Sequence, residues 1–426
     1  MSTLLQVLPD RESRERKQER ARYVNVRTAE SPPMGIPPPA FKRAKKLGGL
    51  SGRGLRAIRV GLLGLEGIDD NLAVSGRRSR RSWGGANVTA MTHVGIAILV
   101  AAQHGAAGQA ACTGAERLGV RNAHALEYDS AIGQVVLFAG ADQAAVKRDL
   151  WTWDGAAWTC LDASDAGPPA RTFPATAYDD SRSRLIVFGG NRVLFGRPGD
   201  TNTLLADTWE WDGGRWHRIT GPSPPARAEA AMAYDPERRR VVLFGGYRLA
   251  SDGSIERLGD TWEWDGQSWS EQDETGPAAR SGASMVFAPS AGGVVVFGGN
   301  GPRGDTWVWD GESWHRVVEK DPPGRYNSVM AFDPVRGALV RFGGWDGQMR
   351  AGGTWMLEGV EWSRLSVAGP LARNHAAAAY DERRSRWVLM GGHDGEFVFC
   401  DTWEWNGSAW HSVRPCKPIR RVSNGH

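Results

Sequence analysis

The sequence predicts an all-β fold, a six-bladed β-propeller of four-stranded antiparallel blades preceded by a mostly disordered basic N-terminal leader. Three observations carry that prediction. A ten-residue unit, Asp207 to Trp216, recurs with near copies at 149–158, 260–269, 305–314 and 401–410, and a decayed one at 353–362. Each repeat opens on an Arg (Arg121, Arg171, Arg227, Arg280, Arg325, Arg373) with an aromatic residue seven positions later and Phe or Met ten beyond that, and neither interval varies. Seventeen of the twenty Trp lie inside the six units, so the aromatic excess belongs to the architecture. Such a unit of about 50 residues cannot bury both faces alone, whereas stacking units about an axis buries them all.

The first strand of each unit runs from the Arg to the aromatic residue and is rich in small side chains, most plainly at Ala376 to Ala379, which suits an inner strand. The second is an unbroken apolar run such as Leu185 to Phe188, as a strand covered on both faces requires. It ends in Gly-Gly, or Ala139-Gly140 in the first unit. A loop of variable length follows, since the interval from Phe or Met to the next Trp runs from 10 to 21 residues. In the third strand Trp209 and Trp211 are two apart and share a face, and an Asp-Gly turn then leads into a fourth strand at Trp216. The long loops at 191–206, 247–259 and 345–352 fall on the face where the first and third strands begin, and insertions gathered on one face are where binding usually resides.

Ahead of the repeats, residues 1–90 carry eighteen Lys and Arg against eight Asp and Glu, with a Pro-rich break at 32–39 and no sustained period. The rest of the chain is acidic by six charges (34 against 40), so the folded part has no nucleic-acid-like electrostatic footprint. Residues 91–115 hold the uncharged run Val94 to Ala102 after four Arg, a shape that fits a secretory signal and is too short to span a bilayer. Export to a periplasmic, cell-surface or extracellular location is therefore the expectation. The propeller is expected over 116–416, a short tail over 417–426, no seventh blade, and a leader dispensable for folding.

The order Arg, inner strand, apolar strand ending Gly-Gly, variable loop, Asp-x-Trp-x-aromatic, turn, Trp resembles the kelch repeat, as in the galactose-oxidase-like propellers, over about residues 118–416. That resemblance implies a propeller, most often a non-catalytic interaction module. The alternative it leaves is a propeller enzyme, either a galactose-oxidase-like oxidoreductase or a glycan-cleaving hydrolase. The oxidase chemistry needs copper held by Tyr and His with a Tyr cross-linked to Cys. Neither Cys160 nor Cys400 stands in such a set. The turn Asp212 to Trp216 echoes the Asp-box of sialidases, but its Asp and Gly are adjacent instead of spaced. His217, His315 and His411 each follow a fourth-strand Trp and read as outer-strand positions, and Asp200, Asn202 and Asp207 lack the spaced oxygen series of a calcium loop. No catalytic residue, metal or cofactor is assigned. A monomer with a protein or glycan ligand on the long-loop face is expected.

Two constellations remain. Cys400 precedes the last third strand and Cys416 follows its fourth, and regular pairing puts Cys400 opposite Pro415, within reach of a disulfide to Cys416. The opening Arg of each unit can cross the Gly-Gly gap to the Asp that opens the third strand, pairing Arg121, Arg171, Arg227, Arg280 and Arg373 with Asp149, Asp207, Asp260, Asp305 and Asp401. These pairs are structural. Blade five breaks the pattern: Gly353 replaces the Asp, Arg341 stands where other blades have Leu or Val, and Leu357 where they have Trp. Arg325, Arg341, Trp345, Arg350, Arg373 and His393 are accordingly the candidate ligand-binding residues, forming a pocket for an anionic group.

Overall fold

The computed structural model describes residues 117–193, 203–272, 275–300, 304–318 and 322–421. The expectations for the leader and the signal-like segment lie outside these residues. Contacts within the chain separate a unit Met1–Gly85 from a unit Ala86–His426, and everything described belongs to the second.

Six four-stranded antiparallel sheets follow one another in sequence, and together they form a six-bladed propeller. Blade one is β1 (Ala125–Asp129), β2 (Gln134–Phe138), β3 (Leu150–Trp153) and β4 (Trp158–Asp162), and blade two is β5 (Ala175–Asp179), β6 (Arg184–Phe188), β7 (Thr208–Trp211) and β8 (Trp216–Ile219). Blade three comprises β9 (Ala231–Asp235), β10 (Arg240–Phe244), β13 (Thr261–Trp264) and β14 (Trp269–Gln272), its long loop folded into the hairpin β11 (Tyr247–Leu249) and β12 (Ile255–Arg257). Blade four is β15 (Ser284–Ala288), β16 (Gly293–Phe297), β17 (Thr306–Trp309) and β18 (Trp314–Arg316), and blade five β19 (Val329–Asp333), β20 (Ala338–Phe342), β21 (Thr354–Glu358) and β22 (Glu361–Arg364). Blade six is β23 (Ala377–Asp381), β24 (Arg386–Met390), β26 (Thr402–Trp405) and β27 (Trp410–Arg414). Beside it β25 (Phe397–Val398) pairs with β28 (Ile419–Arg420) in the tail. The first strands lie side by side around the axis, and β23 returns to β1.

Each gap between neighbouring blades holds its own apolar cluster, from Phe138, Val187 and Trp211 between blades one and two round to Leu137, Trp153 and Val388 between six and one. The fourth-strand Trp closes each gap with a hydrogen bond back to the preceding blade. Nε1 of Trp269, Trp314, Trp362, Trp410 and Trp158 donates to Oγ1 of Thr208, Thr261, Thr306, Thr354 and Thr402 at 2.8 to 3.0 Å. In blade one that Thr is Leu150, and Trp216 instead donates to Asp162 Oδ2 at 3.0 Å, on the residue paired with Leu150. The Asp of each Asp-Gly turn caps it: Asp154, Asp212, Asp265 and Asp310 each accept from two successive backbone N–H groups.

Cys400 and Cys416 are joined in a disulfide with Cα atoms 5.8 Å apart. Val413 is bulged out, so Trp403 faces Ser412 while Thr402 faces Arg414. The slip of one residue sets Cys400 opposite Cys416 instead of Pro415.

Candidate functional site

The long-loop face is built on the ring of arginines. In five blades the opening Arg is almost wholly buried and grips its Asp through two parallel bonds. Arg171 Nη1 and Nη2 donate to Asp207 Oδ1 and Oδ2 at 2.8 Å each. The pairs Arg121–Asp149, Arg227–Asp260, Arg280–Asp305 and Arg373–Asp401 repeat this at 2.6 to 2.9 Å. Nη1 also donates to the carbonyl that ends the second strand, at Gly189 in blade two, and Trp209 Nε1 donates to the same Asp. Burial alone would raise the pKa of Asp149, Asp207, Asp260 and Asp305, but the bonded guanidinium outweighs it and holds each below the ordinary carboxylate value.

Blade five departs from this plan. Gly353 takes the Asp position with φ of 98°, a conformation that side-chain-bearing residues rarely adopt. Among the described residues no carboxylate bonds to Arg325, whose Nη1 donates to its neighbour's carbonyl at Gly324, 2.7 Å away. Burial and the nearby Arg364 charge lower the Arg325 pKa, with Asp346 opposing them. The Arg364 guanidinium lies over Gly353, where an added Cβ would come within 3.3 Å of it. Beside these two residues an open cleft of about 430 Å³ runs along 365–368.

The six residues proposed from sequence occupy three settings. Arg325 and Arg341 share one. Arg341 is 1% exposed, its guanidinium stacked 4.5 Å over Phe297, 4.8 Å over Trp355 and 5.3 Å from Trp362, and Nη2 donates to the Pro323 carbonyl at 3.4 Å. Burial, then the Arg325 charge, pull its pKa down to about 9. Across the strand pair Arg341 faces Trp355, and Leu357 faces Leu339. Trp345, Arg350 and His393 form a second setting, in which the Arg350 guanidinium lies 4.4 Å over the Trp345 ring and Nε reaches Asn374 Oδ1 at 3.4 Å. His393 Nε2 meets His375 Nδ1 at 3.0 Å, and burial holds His393 down at about 3. Arg373 stands apart, committed to Asp401 as in the other paired blades.

Residues the sequence reading passed over close the channel mouth. Two positions after each ring Arg stand Ala123, Phe173, Glu229, Gly282, Asn327 and His375, all left-handed with φ between 49° and 63°. Each of the five non-glycines costs on the order of 1 kcal/mol there. Their backbones run head to tail around the axis: Phe173 donates to Ala123, Glu229 to Phe173, Gly282 to Glu229, Asn327 to Gly282, and Ala123 to His375. Where this column is small, side chains meet across it. Over Gly282 the Tyr326 hydroxyl donates to Glu229 at 2.5 and 2.6 Å, and over Ala123 the His375 ring meets Phe173 edge-on at 4.9 Å. A Cβ on Gly282 would come within 2.4 Å of the Tyr326 ring. The signal for these residues was a column of six different residues inside an otherwise strict repeat. Among the described residues no His, Cys, Asp and Glu group could hold a metal ion, and no helix is long and apolar enough to cross a membrane.

No family model matches the sequence. Over 124 residues, 28% of this chain, it is 36% identical to dynein regulatory complex subunit 7 of Chlamydomonas reinhardtii. The matched stretch is 10% of that protein's length.

Proposed function

We propose that this chain is an exported, kelch-like, non-catalytic binding scaffold that receives an anionic group of a partner protein on the blade-five sector of its long-loop face. The carrying observation is Arg325, the ring arginine whose carboxylate has been replaced by Gly353, with Arg364 over the vacated position. A half-buried guanidinium without a carboxylate favours an incoming one, because such bonds are stronger where water is partly excluded. The similarity to a protein named as a subunit of a regulatory complex favours a protein ligand over a glycan. The Cys400–Cys416 disulfide fits an oxidising compartment.

Fluorescence anisotropy with labelled hexaglutamate tests the site. Arg325→Ala removes no internal ion pair and should leave the melting temperature nearly unchanged while weakening the peptide about tenfold or more. Equal binding by parent and variant, no binding by the parent, or preference for an oligogalacturonate over the peptide would overturn the reading as stated.

A further inference from the structure

The other end of the channel is built differently. There the aromatic residues that stand seven positions after each ring Arg lie one residue before the ends of the first strands, and they line a cavity of about 390 Å³ together with the turns leading to the second strands. The volume lies at the lower end of the range for small-molecule sites, about 300 to 1,000 Å³.

The wall has two halves. In blades three, four and five the turns begin Asp235-Pro236, Ala288-Pro289 and Asp333-Pro334, and the strands above present Met232, Met285 and Met330, so this half is apolar. In blades six and two the matching turn residue is acidic, Glu382 and Asp180, and blade one adds Glu127 at a position where the other blades carry Ala or Val. Tyr128, Tyr178, Tyr234 and Tyr380 with Phe287 and Phe332 run round both halves. Glu127 accepts a bond from Thr176 Oγ1 at 2.7 Å, and among the described residues no basic side chain pairs with Glu127, Asp180 or Glu382. Desolvation raises the pKa of all three, and Asp180 adds repulsion to each of the other two. Arg383, next to Glu382, lies against Gly133 in blade one.

We infer that this cavity is a second binding site, for a small organic cation with an apolar body: an aryl- or alkylammonium whose hydrocarbon part lies against the methionine and proline half and whose charge faces the three carboxylates. Aromatic faces attract such a cation, and it replaces the counter-charge the acids lack. The site is separate from the blade-five sector and stands whether or not that reading holds.

Calorimetric titration at about pH 9, where Glu127 is ionised, with phenyltrimethylammonium, and with benzenesulfonate as a probe of similar size and opposite charge, tests it. The cation should bind and the sulfonate should not. Glu127→Gln and the pair Asp180→Asn with Glu382→Gln should each weaken the cation about tenfold, whereas Arg325→Ala should leave it unchanged. Circular dichroism melts of each variant identify one that fails to fold, and Phe287→Leu, which keeps an apolar side chain there, should still weaken the cation several-fold. No cation binding at millimolar concentration, equal binding of both probes, or full affinity in folded Glu127→Gln would overturn the site.

Discussion

Single residues that break a repeat reveal what the repeat does. Leu150 in place of Thr does not leave Trp216 without an acceptor, because Asp162 on the neighbouring strand supplies one. Glu127 breaks the pattern more expensively. It stands where Ala177, Ala233, Val286, Ala331 and Ala379 occur in the other blades, and burial pushes its carboxyl up to about 8, with the Thr176 bond opposing and Asp180 adding to the rise. The folded chain therefore keeps a proton that the unfolded chain releases above its ordinary value of 4.5, and stability contributed by the protonated form is lost as pH rises from 4.5 through 8. Glu127→Gln removes that titration while keeping an acceptor for Thr176. Thermal melts should show no advantage for the variant at about pH 4 and a higher melting temperature than the parent at about pH 9. Equal melting temperatures at the higher pH would contradict the assignment.

At the scale of the blade, the Arg–Asp pair joins the start of the first strand to the start of the third across the end of the second. Asp207→Ala would leave Arg171, which is 0% exposed, with a buried charge and no carboxylate. The expected loss is about 3 to 5 kcal/mol by chemical denaturation. Gly353→Asp should give blade five no matching gain, because the φ of 98° there disfavours a side chain and the Arg364 guanidinium occupies the adjacent space. A gain of several kcal/mol from that substitution would show that the departure of blade five is not built into its backbone. These elements were legible in sequence because strand lengths and the two fixed intervals leave little freedom, so a missing Asp at position 353 was visible as a missing partner. Other features had no such signature. The left-handed column can be filled by Ala, Phe, Glu, Asn or His, so residue type does not announce its φ. The bulge at Val413 shifts one pairing without altering the apolar pattern. Arg341 could be seen as out of place, but the rings of Phe297, Trp355 and Trp362 that enclose it come from two blades and are brought together only by the fold.

For the whole ring, the decisive junction is between the last blade and the first. Each blade here takes all four strands from one continuous stretch of chain, and among the described residues no strand from one end of the chain joins a blade begun at the other. Closure rests partly on contacts of kinds that recur around the ring: the Trp158 to Thr402 bond and the cluster around Leu137 and Val388, together with a Trp153 to Glu404 bond whose counterpart is Trp309 to Glu263 between blades three and four. Among the described residues it also has fastenings of its own. Arg414 donates to the Leu118 and Cys400 carbonyls at 2.8 and 3.1 Å, and Gln143 of blade one donates to the carbonyls of Ile419 and Arg420 at 3.0 and 2.6 Å. Phe397 pairs with Arg420 and Val398 with Ile419, and the Cys400–Cys416 bond secures the base of that tail, packed on Val120 and Val398. The disulfide spans 16 residues, and closing a loop of that size in the unfolded chain corresponds to about 3 kcal/mol. Replacing both cysteines by Ser should lower stability by roughly that amount, measured by denaturant titration. Hydrogen exchange should locate the loss, with faster exchange at Arg121, Val398 and Ile419 while the backbone of blades three and four keeps its protection. If protection instead falls evenly around the ring, or if the double variant is as stable as the parent, closure is held by the ordinary blade-to-blade contacts and the tail adds nothing to it.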